Sequence, residues 1–64
     1  MGEQDRTGYA VNFAGKRRDH IANLDDRKMA EARARSEAKA NRQATEVIER
    51  STRRVVYRVG FGRA

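Results

Sequence analysis

The sequence DDRKMAEARARSEAKANRQATEVIER, residues 25–50, indicates a fold more strongly than any other stretch of the chain. It is rich in Ala, Glu, Arg and Lys, which are all good helix formers. Opposite charges recur four residues apart, as in Arg27–Glu31 and Arg33–Glu37, and each such pair stabilises a helix by a few tenths of a kcal/mol. The pattern predicts one long polar helix over about residues 23–51. Residues 16–24 either add its first turns or form a loop that leads into it.

One side of this predicted helix carries mostly small residues. Six residues, spaced three or four apart, fall on one stripe of the predicted helix: Met29, Ala32, Ser36, Ala40, Ala44 and Val47. The stripe is narrow, and the Leu/Ile repeat of a dimeric coiled coil is absent from the sequence. We therefore expect the helix to act as a spacer whose small-residue stripe, with Met29, Ala32, Ala40 and Val47, packs closely against a partner.

The two ends of the chain have the alternating pattern of strands. The first segment, about residues 8–14, lies between two glycines, and the second, about residues 54–60, is the richest β-branched and aromatic run in the chain. An extended arm lying on a partner fits the first segment equally well. The segments can pair with each other or with a neighbouring protein. Their apolar residues, expected to pack on a partner, are Tyr9, Val11, Phe13, Val55, Tyr57, Val59 and Phe61.

The composition argues against a large core. The chain has 64 residues, enough for at most one domain, and ten of its hydrophobic residues are alanines. It contains no cysteine for a disulfide and a single histidine, so a structural zinc site is not expected either. We predict a mainly α chain without an independent globular core, divided into an arm (1–15), a helix (16–51) and a basic tail (52–64). Such a chain would depend on a larger protein assembly or on a homo-oligomer.

The charge is strongly basic, with a net +6 and a pI near 10.8. Most of the excess positive charge lies in residues 16–24 and in residues 51–64. The second range contains four arginines and no acidic residue. Such clusters favour contact with nucleic acid, independent of sequence and sensitive to salt, or with an acidic protein surface. A merely solvated basic surface is the alternative. The candidate contact residues are Lys16, Arg17, Arg18, Arg53, Arg54, Arg58 and Arg63, with Tyr57 and Phe61 able to stack on bases.

Catalysis is not expected from these residues. His20 follows Asp19 in a charged stretch, but adjacency along the chain does not make a triad. The spacing from Gly8 to Gly15-Lys16-Arg17 does not match the phosphate-binding loop GxxxxGK[ST]. We predict no catalytic, cofactor-binding or metal-binding residue and no small-molecule substrate. No secretory signal or membrane span is recognisable, so we expect a cytoplasmic or particle-bound protein without membrane contact.

Three functions remain open at this point. The leading hypothesis is a small structural or accessory subunit of a large assembly, such as a virion or phage particle or a ribonucleoprotein. The second is a free regulator that binds nucleic acid. The third is a small inhibitor that docks on one enzyme.

Overall fold

A computed structural model describes residues 7–15 and 19–60, which form a four-stranded sheet and one helix. Of the described residues, 41% lie in strands and 29% in the helix, so the prediction of a mainly α chain is wrong. The elements in chain order are β1 (Tyr9–Phe13), β2 (His20–Leu24), α1 (Arg27–Asn41), β3 (Thr45–Glu49) and β4 (Arg54–Val59).

The sheet has the strand order β2-β1-β3-β4, and every neighbouring pair is antiparallel. The register aligns Leu24, Tyr9, Glu49 and Arg54 at one end of the sheet and Phe13, Thr45 and Val59 at the other. Irregularities in register occur where each edge strand pairs with its neighbour. The two strand-like segments predicted from the sequence correspond to β1 and β4, but β3 lies between them, so they do not pair with each other.

The helix is much shorter than the predicted range of about 23–51. It begins after Asp26, whose carboxylate accepts a hydrogen bond from the Lys28 backbone N–H at 3.4 Å. It ends where Arg42 adopts a left-handed conformation, and the N–H groups of Arg42 and Gln43 both donate to the Ala38 carbonyl. The following TEVIE segment is β3, because Thr, Val and Ile are branched at Cβ and fit a pleated sheet better than a helix.

The core lies between α1 and one face of the sheet. Val11 and Val47 of the two central strands are fully buried against Ala30 and Ala34 of the helix. The Thr45 hydroxyl, on the same face, donates to the Ala34 carbonyl at 2.8 Å. The larger side chains that pack around this cluster are Tyr9, Ile21, Leu24, Val56, Tyr57 and Val59. The chain therefore has a small core of its own, contrary to the expectation from composition.

The buried side of the helix is not the predicted stripe. Ala30, Ala34 and Ala38 face the sheet, since small side chains let the helix approach the larger side chains of the strands. The members of the predicted stripe that lie in α1 face outward: Met29 is 60% exposed, and Ala32, Ser36 and Ala40 are exposed as well. Of the other two members, Ala44 lies beyond the helix and Val47 is buried in β3. The helical spacing extends only to Ala40, because α1 ends at Asn41. Which small-residue face of α1 meets the sheet depends on contacts with strands that are distant in sequence.

Candidate functional site

Three bases of α1 remain after its ion pairs are assigned. The Arg27 guanidinium pairs with Glu31 at 3.0 Å, and that of Arg33 pairs with Glu37 at 2.8 Å. Both acids of the helix are thereby engaged. The bases that form no ion pair within the described residues are Lys28, Arg35 and Lys39, which we call the helix row. Their spacing of seven and four residues places them on one side of a helix that turns about 100° per residue.

Two hydrogen bonds orient this side of the helix toward β4. Arg27 Nη2 donates to the Val56 carbonyl at 3.0 Å, and Arg35 Nη1 donates to the Tyr57 hydroxyl at 3.2 Å. Because α1 follows Leu24 and leads into Thr45, it runs from the end of the sheet where β4 begins to the end where β4 finishes. Arg35 of the helix row therefore lies beside β4, and Lys28 and Lys39 lie on the same side of α1 as Arg35.

Arg35 keeps its charge in this arrangement. The hydrogen bond from its guanidinium to the Tyr57 hydroxyl, together with electrostatic attraction to Tyr57 and Glu31, raises the pKa of Arg35 above its usual value. Desolvation opposes this effect only in part. The tie to Tyr57 also restrains a long side chain that would otherwise lose rotamer freedom on binding an anion.

Strand β4 contributes further bases to both of its faces. Arg54 lies opposite Glu49, and Arg58 lies opposite Glu46 with Nη2 3.6 Å from the Glu46 carboxylate. The Arg58 side chain is still 63% exposed, so its guanidinium can reach an external anion. We call the helix row together with Arg54 and Arg58 the basic flank.

The charge changes sign across the sheet. Residues 50–60, which include β4 and the turn before it, contain four arginines and no acid. Residues 19–26, which include the opposite edge strand β2, contain Asp19, Asp25 and Asp26 and no Lys or Arg. Among the described residues, an anionic ligand therefore meets more positive charge at the β4 edge than at the β2 edge.

The turn between β3 and β4 is fixed by its own hydrogen bonds. Glu49 accepts from the Thr52 hydroxyl at 2.8 Å, and its carbonyl accepts from the Arg53 N–H at 2.7 Å. Arg53 has a positive φ of 61°. Arg50 Nη1 donates to the Thr7 carbonyl at 3.1 Å, which ties the turn to the chain before β1. This hydrogen-bonded turn holds Arg53 next to Arg54, which is the first β4 residue of the basic flank.

Only some of the predicted contact residues belong to the part of the chain that the structure describes. Arg53, Arg54 and Arg58 lie together at β4, whereas Lys16, Arg17, Arg18 and Arg63 lie outside the described residues. The sequence prediction missed the helix row, because it took contact residues only from the segments before and after the helix, where the excess positive charge lies. The unpaired bases at steps of seven and four were the available indication.

The residues predicted to pack on a partner fall into three groups. Val11 and Val47 are buried in the chain's own core, and Tyr9, Phe13, Tyr57 and Val59 are half-buried on the same side of the sheet. Val11 and Val47 are therefore not accessible to a partner, whereas the half-buried side chains keep part of their surface exposed. The exposed members are Met29, Ala32, Ala40 and Val55, while Phe61 lies outside the described residues.

Two other residues with titratable side chains, His20 and Glu46, have partners within the protein. His20 Nδ1 lies 3.0 Å from the Asn12 amide oxygen, and both groups are accessible. Glu46 is fully buried on the sheet face opposite α1 and interacts with Arg58. Within residues 7–15 and 19–60 we find no ligand-sized pocket and no group of side chains suited to hold a metal ion.

The single described helix is neither long nor apolar enough to cross a membrane. Comparison of the chain with models of protein families, with curated proteins and with solved structures finds no match.

Proposed function

We propose that this chain is a small non-enzymatic protein that binds nucleic acid through the phosphate backbone, using the basic flank. The observation that supports this most is the gathering of bases from two distant segments at one edge of the sheet. Lys28, Arg35 and Lys39 come from the helix, and Arg54 and Arg58 from β4, with most local acids already paired. Phosphate contacts of this kind give affinity without sequence preference.

Nucleic-acid binding was the second hypothesis from the sequence, and the fold weakens the argument for the first. The leading hypothesis, a subunit that is ordered only within a large assembly, rested on the expected lack of a core. The described residues contain such a core, so that reason no longer applies. A place in a nucleoprotein or virion particle, with a cytoplasmic or particle-bound location, remains compatible with phosphate binding and is part of the proposal.

Salt-dependent binding tests the proposal. Fluorescence anisotropy with a labelled nucleic acid should give an affinity that falls steeply between about 50 and 200 mM salt. Lys39→Gln should weaken binding about fivefold and reduce the slope of log affinity against log salt by about 0.9, the effect of one lost phosphate contact on B-DNA.

Arg33→Gln is the matched control. It removes one positive charge from the same helix, but Arg33 lies outside the helix row, on nearly the opposite side of α1 from Arg35. Its effect should be much smaller than that of Lys39→Gln. Equal losses from both variants would mean that only net charge matters, and no binding at low salt would reject the function.

A further inference from the structure

We infer that the ligand of the basic flank is double-stranded DNA, and that the β4 edge enters its major groove with phosphates of both strands contacting opposite sides of β4. This inference rests on the proposed function and adds the class of nucleic acid and the manner of docking.

The first observation is that bases lie on both sides of the β4 edge. Thr45 and Val47 of β3 face the helix, so their neighbours Glu46 and Ile48 face the opposite side of the sheet. Arg58 and Val55 pair with those two residues and share their side. The helix row lies on one side of β4, and Arg58 lies on the other. A single strand passing along the edge meets one of these groups, whereas the two strands of a duplex groove meet both.

The second observation is the size of the edge. One sheet with its side chains is about 10 Å thick. Because α1 adds a second layer on one face of this sheet, only the β4 edge itself can enter a groove, and the helix row stays outside it over the phosphates. The major groove of B-DNA is about 12 Å wide and admits protein elements of this size. The corresponding groove of A-form RNA is deep and narrow, so side chains cannot read it. The dimensions therefore select DNA over RNA.

The third observation concerns the edge itself. An exposed edge strand can pair with a β-strand of another protein. Two features of β4 disfavour such pairing: its register with β3 is irregular between Val47 and Ile48, and the Val56 carbonyl already accepts a hydrogen bond from Arg27. Val55 is 47% exposed on this edge, although β4 is otherwise rich in arginine. An apolar side chain at that place can contact a thymine methyl group in the groove.

The test compares three nucleic acids of one sequence: a DNA duplex of about two helical turns, its single strand, and the RNA duplex. Anisotropy titrations of the full chain should show tightest binding to the DNA duplex, by at least about tenfold over each of the others. Equal affinity for the single strand or the RNA duplex overturns the inference.

Two variants on the side of β4 opposite α1 test the docking. Arg58→Gln and Val55→Glu should each weaken duplex binding about fivefold or more, and Arg58→Gln should reduce the salt slope by about 0.9. Asn23→Glu is the control for Val55→Glu, because it adds the same charge at an exposed position on the opposite edge strand β2. Circular dichroism checks that each variant keeps its fold.

The possible failures are distinguishable. If Lys39→Gln weakens duplex binding while Arg58→Gln and Val55→Glu do not, DNA contacts only the helix side, and the groove docking is wrong while the proposed function stands. If Val55→Glu weakens duplex binding but Arg58→Gln leaves the salt slope unchanged, no phosphate contacts the side of β4 opposite α1, and the inference is again overturned. If the unmodified chain binds none of the three nucleic acids at low salt, both proposals fail.

Discussion

At the scale of single residues, Arg42 has a backbone conformation that is unfavourable for a residue with a Cβ atom. It ends α1 with φ 53° and ψ 46°, in the left-handed region that residues with a Cβ rarely adopt. Glycine is the usual residue at such a position. Two N–H groups donating to the Ala38 carbonyl hold the turn despite this cost.

Replacing Arg42 with glycine should therefore stabilise the fold. Removal of the Cβ relieves the strain, and the greater freedom of glycine in the unfolded chain offsets part of the gain, so we expect about 0.5–1 kcal/mol. Urea denaturation followed by circular dichroism measures the change. Ala32→Gly, at an exposed position inside α1, is the control and should cost about 1 kcal/mol. A loss of stability in Arg42→Gly would contradict the prediction.

At the scale of elements, the strands at the two ends of the chain were predictable and those beside the helix were not. The alternation in β1 and β4 is plain in the sequence, and both were found near their predicted ranges. The HIANL segment of β2 is short and has mixed polarity, so its pattern resembles a helix entry as much as a strand. The TEVIE segment of β3 follows a strongly helical stretch without a proline or glycine, and only its branched residues mark the change.

The connection into β1 depends on Gly8. This residue has φ +86°, and a Cβ added to it would lie 2.9 Å from the Leu24 carbonyl oxygen, which belongs to the paired strand β2. The carbonyl of Gly8 also accepts from the Arg50 N–H at 3.1 Å. A side chain here must therefore displace backbone in a neighbouring strand.

Gly8→Ala should accordingly destabilise the protein by about 2 kcal/mol or more, because strain at positive φ adds to the steric overlap. Gly60→Ala is the matched control, since a Cβ at Gly60 meets nothing within 4 Å. Its stability should change by less than about 0.5 kcal/mol. Thermal melts of both variants measure the difference. Similar midpoints would show that the close approach of Gly8 to the Leu24 carbonyl does not exclude a side chain at residue 8.

At the scale of the whole molecule, the candidate site was predictable only in part. The sequence identified the arginines of the last segment, because no acid separates them. It could not show that Lys28, Arg35 and Lys39 lie beside them, since that depends on the rotation of α1 over the sheet. The rotation is set by Ala30 and Ala34 meeting Val11 and Val47, which are contacts between segments distant in sequence.

The same packing leads to a prediction about the isolated chain. With a shared core beneath one helix, the purified protein should unfold in a single cooperative transition whose midpoint does not depend on protein concentration. The core is small, so we expect a stability of roughly 3–10 kcal/mol, in line with about 0.05–0.15 kcal/mol per residue. Moderate salt should raise the midpoint slightly, because it screens repulsion among the like charges of the basic flank. Circular dichroism melts over a range of protein and salt concentrations measure both effects. A gradual melt, or a midpoint that rises with protein concentration, would instead show that the chain needs a partner or a second copy to fold.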